Sequence, residues 1–268
     1  MKKKLLLAFF LAFCLCTIYT SFSTLPATPT TFPTTNLPTH SLSFLNIFCP
    51  NSLYPYLQFP KAVEEKKKIQ PTYVSFAILP LDLKHAIIAT EDKRFYEHGA
   101  FDPMGIFRAI IVNILSSAKK EGGSTISQQV VKNLFLTQDK TFTRKGKELV
   151  LAILLEHYYT KDEILELYVN SIYFGPHAVG IQAACHIFFN TTPDKLTLSQ
   201  ASLLAGLIQA PNRYNPYTHY EEAKKRQQVV LSFMTKQGYI TSQDAVQAYR
   251  HPLHLSPTKD HISRRPSL

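Results

Sequence analysis

From Asp82 to Arg250 the apolar residues recur at intervals of three and four almost without a break, the spacing of helices that each bury one face. A chain patterned in this way folds as packed helices, and the domain is expected to be mainly α. The spacing predicts helices over Asp82–Glu91, Pro103–Ser117, Ser124–Leu136, Thr143–Tyr159, Lys161–Phe174, Ala178–Phe189, Leu198–Gln209, Tyr220–Gln237 and Ser242–Arg250. Start signals agree: Pro103 follows Asp102, Ser124 follows Gly122-Gly123, Thr160 precedes Lys161-Asp162-Glu163, and Thr241 precedes Gln243-Asp244. At 268 residues with 45% hydrophobic side chains there is enough material for one catalytic domain with appendages, which excludes a disordered chain; four cysteines exclude a disulfide scaffold.

Before the domain, Lys2, Lys3 and Lys4 precede an uncharged apolar run, Leu5 to Phe22. At about 1.5 Å per residue that run is long enough for a hydrocarbon core of roughly 30 Å, so 1–22 reads as a signal-anchor transmembrane helix with its lysines in the cytoplasm and everything after it outside. A cleaved signal peptide is the alternative, although no small-x-small site follows closely. Phe13 before Cys14 argues against lipoprotein processing. Residues 23–70 read as a Thr/Pro-rich stalk, 71–250 as the domain and 251–268 as a polar tail. Sequence leaves a Cys49–Cys185 disulfide unspecified.

With 29 Lys+Arg against 19 Asp+Glu the formal charge is +10, which calls for a polyanion: nucleic acid, an anionic membrane surface or a phosphorylated substrate. Three stretches carry chemistry that bears on the choice. On a helical wheel Ser124, Thr125, Gln128, Gln129, Lys132 and Asn133 share one half of the circumference. A solvated face is normally Glu, Lys and Arg, whereas this amide- and hydroxyl-rich set suits a polyhydroxylated ligand, and the preceding glycines leave helix N–H groups open to an anion. Arg144, Lys145 and Lys147 crowd a helix N-terminus, where the macrodipole disfavours cations; either Arg144 pairs with Glu148 at i,i+4 or the set is kept for an anionic group. Glu91 ends an apolar helix, where desolvation raises a carboxyl pKa and makes a general base, against the simpler reading of a helix end with mixed charges. Ser116-Ser117-Ala118-Lys119 matches S-x-x-K but has no K-T-G or S-D-N partner and reads as coincidence.

Taken together, these stretches resemble the family-51 peptidoglycan glycosyltransferases, whose five motifs occur here in order over about Tyr73 to Gln237. The first motif, E-D-x-x-F-x-x-H-x-G-x-D, is met by Glu91, Asp92, Phe95, His98 and Asp102. The second is Gly122-Gly123-Ser124-Thr125-Ile126-Ser127-Gln128-Gln129 with Lys132-Asn133, and the third is Arg144-Lys145 with Glu148. The fourth runs from Ile164 to Gly175 and the fifth from Leu198 to Pro216. Three positions depart from the pattern: Ala100 stands where glycine is usual, Ser127 for threonine and Gln200 for glutamate. If position 100 needs positive φ, alanine there costs about 1 kcal/mol.

The resemblance implies a lysozyme-like helical domain with a small membrane-associated lobe, here about Gly105–Lys120, and polymerisation of lipid II into β-1,4 glycan with inversion and release of polyprenyl diphosphate. It makes Glu91 and Glu148 the catalytic carboxylates, Glu91 as general base. Ser124, Thr125, Gln128, Gln129, Lys132, Asn133, Arg144, Lys145, Asp92 and His98 become substrate-binding residues, while Tyr168 and Asn170 are structural. It further implies a divalent cation, Mg or Mn, with no ligand set specified and no organic cofactor. The partners are lipid II, the growing lipid-linked glycan, the membrane and other cell-wall synthesis proteins, and nucleic acid is excluded by the extracytoplasmic location. The chain is expected to lack a transpeptidase domain. The rival readings are a lysozyme-like lytic enzyme and an inactive glycan-binding scaffold; the first does not need cations aimed at a diphosphate, and the second is expected to have lost its carboxylates.

Overall fold

The computed structural model describes residues 54–70, 72–108, 123–137 and 141–257. The anchor, the stalk before Tyr54, most of the expected membrane-associated lobe, Cys49 and the last part of the tail lie outside the described residues. No helix among those described is long and apolar enough to cross a membrane.

The described chain is mainly helical. A single helical turn, Tyr54–Leu57, leads into α1 (Phe59–Ile69), followed by α2 (Leu81–Glu91), α3 (Ile126–Phe135), α4 (Phe142–Tyr158), α5 (Lys161–Ser171), a hairpin of β1 (Tyr173–Gly175) and β2 (Ala178–Val179), α6 (Ile181–Phe189), α7 (Leu198–Leu207), α8 (Tyr220–Lys236) and α9 (Ser242–Arg250). Residues 103–108 are helical too, and Asp102 caps that helix through its carbonyl, which accepts from the Ile106 N–H.

Two helical groups make the core. α2, α7 and α8 pack on one another in the first, and α3 packs against α4 and α5 in the second. α7 is buried from Ser199 to Leu207, and its small residues let neighbours come close: a Cβ at Gly206 would stand 3.1 Å from Arg226 Cγ. Gln227 of α8 fastens the pair by donating to the Ser199 carbonyl at 2.8 Å. The groups meet where α2 ends and α3 begins. Asp92, next after α2, accepts the Ile126 N–H through Oδ2 at 3.0 Å, so a carboxylate caps the positive end of α3.

Three boundaries differ from the sequence reading. The end of the expected stalk is helix α1, because Phe59, Ala62 and Val63 fall at i, i+3 and i+4 and are buried in the core. Pro60, which in a Thr/Pro-rich stretch looks like stalk, stands in the first turn of α1, where its missing N–H costs nothing. The helices expected over Lys161–Phe174 and Ala178–Phe189 give way between them to the antiparallel hairpin. Gly180 forces that break, with φ +80° and so little room that a Cβ would lie 2.7 Å from the Asn170 carbonyl oxygen. The start of the expected tail is packed: Leu253 is buried, and the Ser256 N–H donates to the Phe188 carbonyl at 2.8 Å.

The departures from motif sit without strain. Ala100 is not among the described non-glycine residues at positive φ, which are His177, Asn190 and His254. Gln200 makes a reciprocal cap with Thr197 and spends its Nε2 on the Leu253 carbonyl at 3.2 Å, a bond glutamate cannot donate. Cys185 is a buried thiol pushed up to about 12 by burial. Asn170 is structural, tying Val74 N–H and C=O through its amide at 2.8 Å each.

Candidate functional site

Glu91 is the last residue of α2, where the run Leu83, Ala86, Ile87, Ile88 and Ala89 buries the preceding turns. Its half-buried carboxyl accepts from Gln129 Nε2 of α3 at 3.0 Å through Oε2. Arg226 from α8 and Lys132 from α3 add positive potential, and Asp92 adds negative potential. Burial outweighs the bond and the two cations, so the Glu91 pKa lies above the ordinary carboxylate value. A carboxyl so placed is a stronger base than a solvated one and is within reach of general-base chemistry.

Beside it, Asp92 is buried and fully engaged. Oδ2 takes the Ile126 N–H and Oδ1 faces His98 Nε2 at 2.7 Å, while His98 Nδ1 faces the Gly99 carbonyl at 2.8 Å. Arg94 pairs with Asp102. The donor atoms of Asp92, His98 and Asp102 lie within 4.8 Å of one another, close enough for a metal ion in spacing. Their chemistry argues otherwise. Both ring nitrogens of His98 face acceptors and must carry protons, and Asp102 is bonded to a guanidinium, so the cluster already holds its cations.

The polar half of α3 divides between interior and surface. Thr125 caps α3 by accepting the Gln128 N–H at 3.2 Å, and its hydroxyl donates to the Ala100 carbonyl at 2.9 Å. Gln128, 4% exposed, donates to the same carbonyl at 3.1 Å. Ser127 donates to Glu156, which also receives Lys161 Nζ at 2.7 Å. The N–H groups expected to stand open to an anion are thus partly taken: Asp92 holds that of Ile126 and Thr125 that of Gln128. Ser124 and Asn133 are exposed.

α4 brings the third stretch alongside. Thr141 caps it, accepting the Arg144 N–H at 3.1 Å. Glu148, 3% exposed, accepts Arg144 Nη1 at 2.8 Å through Oε2 and Lys145 Nζ through Oε1. The macrodipole penalty on cations in the first turn is thereby offset by a buried carboxylate one turn on. Lys145 Nζ also donates to Ser124 Oγ at 3.1 Å and Gln128 Oε1 at 3.0 Å. The side chain of Lys145 remains 48% exposed and that of Arg144 19%.

The structure therefore brings the expected residues into three sets. Glu91, Gln129 and Lys132 form one; Ser124, Gln128, Arg144, Lys145 and Glu148 form the second; Thr125, Asp92 and His98 hold the start of α3. α3 joins the first two, with Gln129 turned to Glu91 and Gln128 to Lys145. Sequence reasoning missed Arg226, which lies beyond the five motifs. Its signal is a cation set on the inward side of α8 beside buried Ala223, Gln227 and Val230, where burial lowers its pKa and Glu91 raises it. Also missed was the Ala100 carbonyl, which no side-chain pattern can announce.

A family model described as transglycosylase matches residues 60–235. Penicillin-binding protein 1F of Bacillus subtilis (strain 168) is 47% identical over 186 residues, covering 69% of this chain and 26% of its own length. Penicillin-binding protein 1A of Escherichia coli (strain K12) is 48% identical over 179 residues, 67% of this chain and 21% of its own. The chain thus spans about a fifth to a quarter of the length of these curated relatives. A solved penicillin-binding protein 1A from Haemophilus influenzae aligns with 70% of this chain and 18% of its own, at 23% identity and a TM-score of 0.42.

Proposed function

Because this chain belongs to the transglycosylase family, we propose that it polymerises lipid II into β-1,4-linked glycan, with inversion at the donor anomeric carbon and release of polyprenyl diphosphate. One observation carries the reading: α3 bridges a carboxyl of raised pKa, Glu91, and a pair of cations, Arg144 and Lys145, anchored on buried Glu148. Glycosyl transfer from a lipid diphosphate needs those two groups together. Glu91 removes the proton from the 4-hydroxyl of the acceptor sugar as that oxygen attacks, and the Gln129 bond keeps the carboxyl oriented for it. Arg144 and Lys145 receive the negative charge that builds on the departing diphosphate, Arg144 through its planar fork. Lys132 stands on the same helix as Gln129 and serves that charge from the Glu91 side.

The carboxylates and histidine described at this site do not fit a resident Mg or Mn ion. Glu148 has a cation on each oxygen, and Asp92, His98 and Asp102 satisfy one another and Arg94. We infer that a divalent cation, where the reaction uses one, arrives as the counter-ion of the diphosphate, and no step is routed through it. The proposed activity is glycosyl transfer, by a lysozyme-like domain on the outer side of the cell membrane, held by a single N-terminal anchor. Other cell-wall synthesis proteins are its proposed partners. Exposed Met104, Ile106 and Phe107 on the helical residues 103–108 support a lobe that dips into lipid.

The test is the purified full chain with lipid II and a divalent cation. It is expected to yield long glycan and polyprenyl diphosphate, and Glu91→Gln to abolish both while unfolding at an unchanged temperature. Shortening of existing glycan with no polymer formed replaces this reading by the lytic one.

A further inference from the structure

The bond that reaches Glu91 comes from a primary amide, and an amide has two ends to offer. Turned by half a rotation about its terminal torsion, Gln129 faces the carboxylate with Oε1 in place of Nε2–H, and an attraction becomes a repulsion. On the other side of that amide stands Tyr168 of α5, whose hydroxyl donates to Gln129 Oε1 across 3.4 Å. The Tyr168 side chain is fully buried, and Gln129 is the partner within reach of its hydroxyl. Burial first, then the charges of Glu91 and Asp92, keep the phenol protonated far above its ordinary range.

We propose that Tyr168 is a positioning residue: its phenol holds the Gln129 amide with Nε2, and not Oε1, toward Glu91. At 3.4 Å the spacing is at the long end for a hydroxyl donor. Tyr168 is buried on α5 and the hydrogen bond its hydroxyl makes is to Gln129, so the orienting effect on Glu91 passes through that amide. The other charges facing Glu91 are Lys132 from α3, Arg226 from α8 and Asp92 beside it in the chain. These keep their charge whichever way the amide points, which leaves the amide as the variable that Tyr168 controls.

The inference rests on Glu91 being the base of the proposed reaction, but its test does not. The protonation midpoint of Glu91 is followed by carboxyl-carbon NMR in the full chain, in the wild type, Tyr168→Phe, Gln129→Leu and the double variant. Tyr168→Phe is expected to raise the midpoint by about half to one pH unit, since the amide no longer presents its donor reliably. Gln129→Leu is expected to raise it at least as far, and the double variant no further than Gln129→Leu. With lipid II, the acid limb of kcat moves by the same amount in Tyr168→Phe while KM stays nearly constant. An unmoved midpoint in either single variant, or shifts that add in the double, overturns the proposal; should Tyr168→Phe not fold, Gln129→Leu alone still decides against it by leaving the midpoint unmoved. Failure of the functional reading shows differently, as polymer formed by Glu91→Gln, and leaves the NMR result standing.

Discussion

Asp92→Asn should destabilise the protein by an amount that depends on pH. His98 Nδ1 lies 2.8 Å from the Gly99 carbonyl and Nε2 2.7 Å from Asp92 Oδ1, so two acceptors face the ring and it is satisfied only as imidazolium. Burial opposes that charge, but the hydrogen bond and charge of Asp92 outweigh it, and the His98 pKa is raised. A histidine of raised pKa contributes stability that is complete below its unfolded value near ~6.5 and is lost as pH climbs through the folded value. Asparagine can keep its Oδ1 on the Ile126 N–H and donate Nδ2 to a neutral Nε2, while Nδ1–H stays on Gly99. That network closes with a neutral ring and is broken by an imidazolium. The pair is 6% and 5% exposed, so screening is slight. A charge-assisted bond contributes roughly 1.5–3 kcal/mol and a neutral one about 1 kcal/mol. With some weakening of the Ile126 bond, the substitution should cost about 2–4 kcal/mol near pH 6 and about 1 kcal/mol or less well above the folded midpoint. Urea unfolding of both proteins across that range measures the difference directly. A penalty that stays flat, or grows with pH, refutes the assignment of two protons to His98.

Glu148→Gln strips the counter-charge from Arg144 and Lys145; with Lys145 half exposed, the stability loss should be about 1–2 kcal/mol by denaturant titration. Glycan formation should fall at least about tenfold, since the cations lose their fixed positions. Gly180→Ala meets both a positive φ and the Asn170 carbonyl, and should lower stability by about 1–2 kcal/mol or more without altering turnover per folded molecule. Gln200→Glu keeps the cap with Thr197 but sets an oxygen against the Leu253 carbonyl; a loss of about 1–2 kcal/mol and faster amide exchange at Ser256 are expected.

What the sequence made legible was periodicity, and what it hid was direction. The helices around the site follow from apolar spacing to within a residue or two at α2, α4, α8 and α9. α1 stayed hidden because its three buried residues are followed by Glu64, Glu65, Lys66, Lys67 and Lys68, which carry no apolar repeat. The hairpin stayed hidden because two short strands between helices are too brief for alternation to register. On α3 the wheel marks one polar half but cannot say that part of it faces inward. Thr125 and Gln128 turn to a backbone carbonyl that belongs to Ala100, and Ser127 turns to Glu156.

That inward turn bears on the chemistry. Had the whole polar half met solvent, Glu91 and Lys145 would be attached to a helix free to shift against α2 and α4. Instead the start of α3 is pinned by Asp92, by the Ala100 carbonyl and by the Ser127–Glu156 contact, so its two glutamines reach opposite neighbours from a fixed frame. In the proposed reaction a base and a cation pair serve one displacement only while their separation holds, and misplacement by about 1 Å can cost on the order of a hundredfold in rate. For the proposed reaction, the second-motif residues that bond inward, Thr125, Ser127 and Gln128, therefore matter by keeping α3 still.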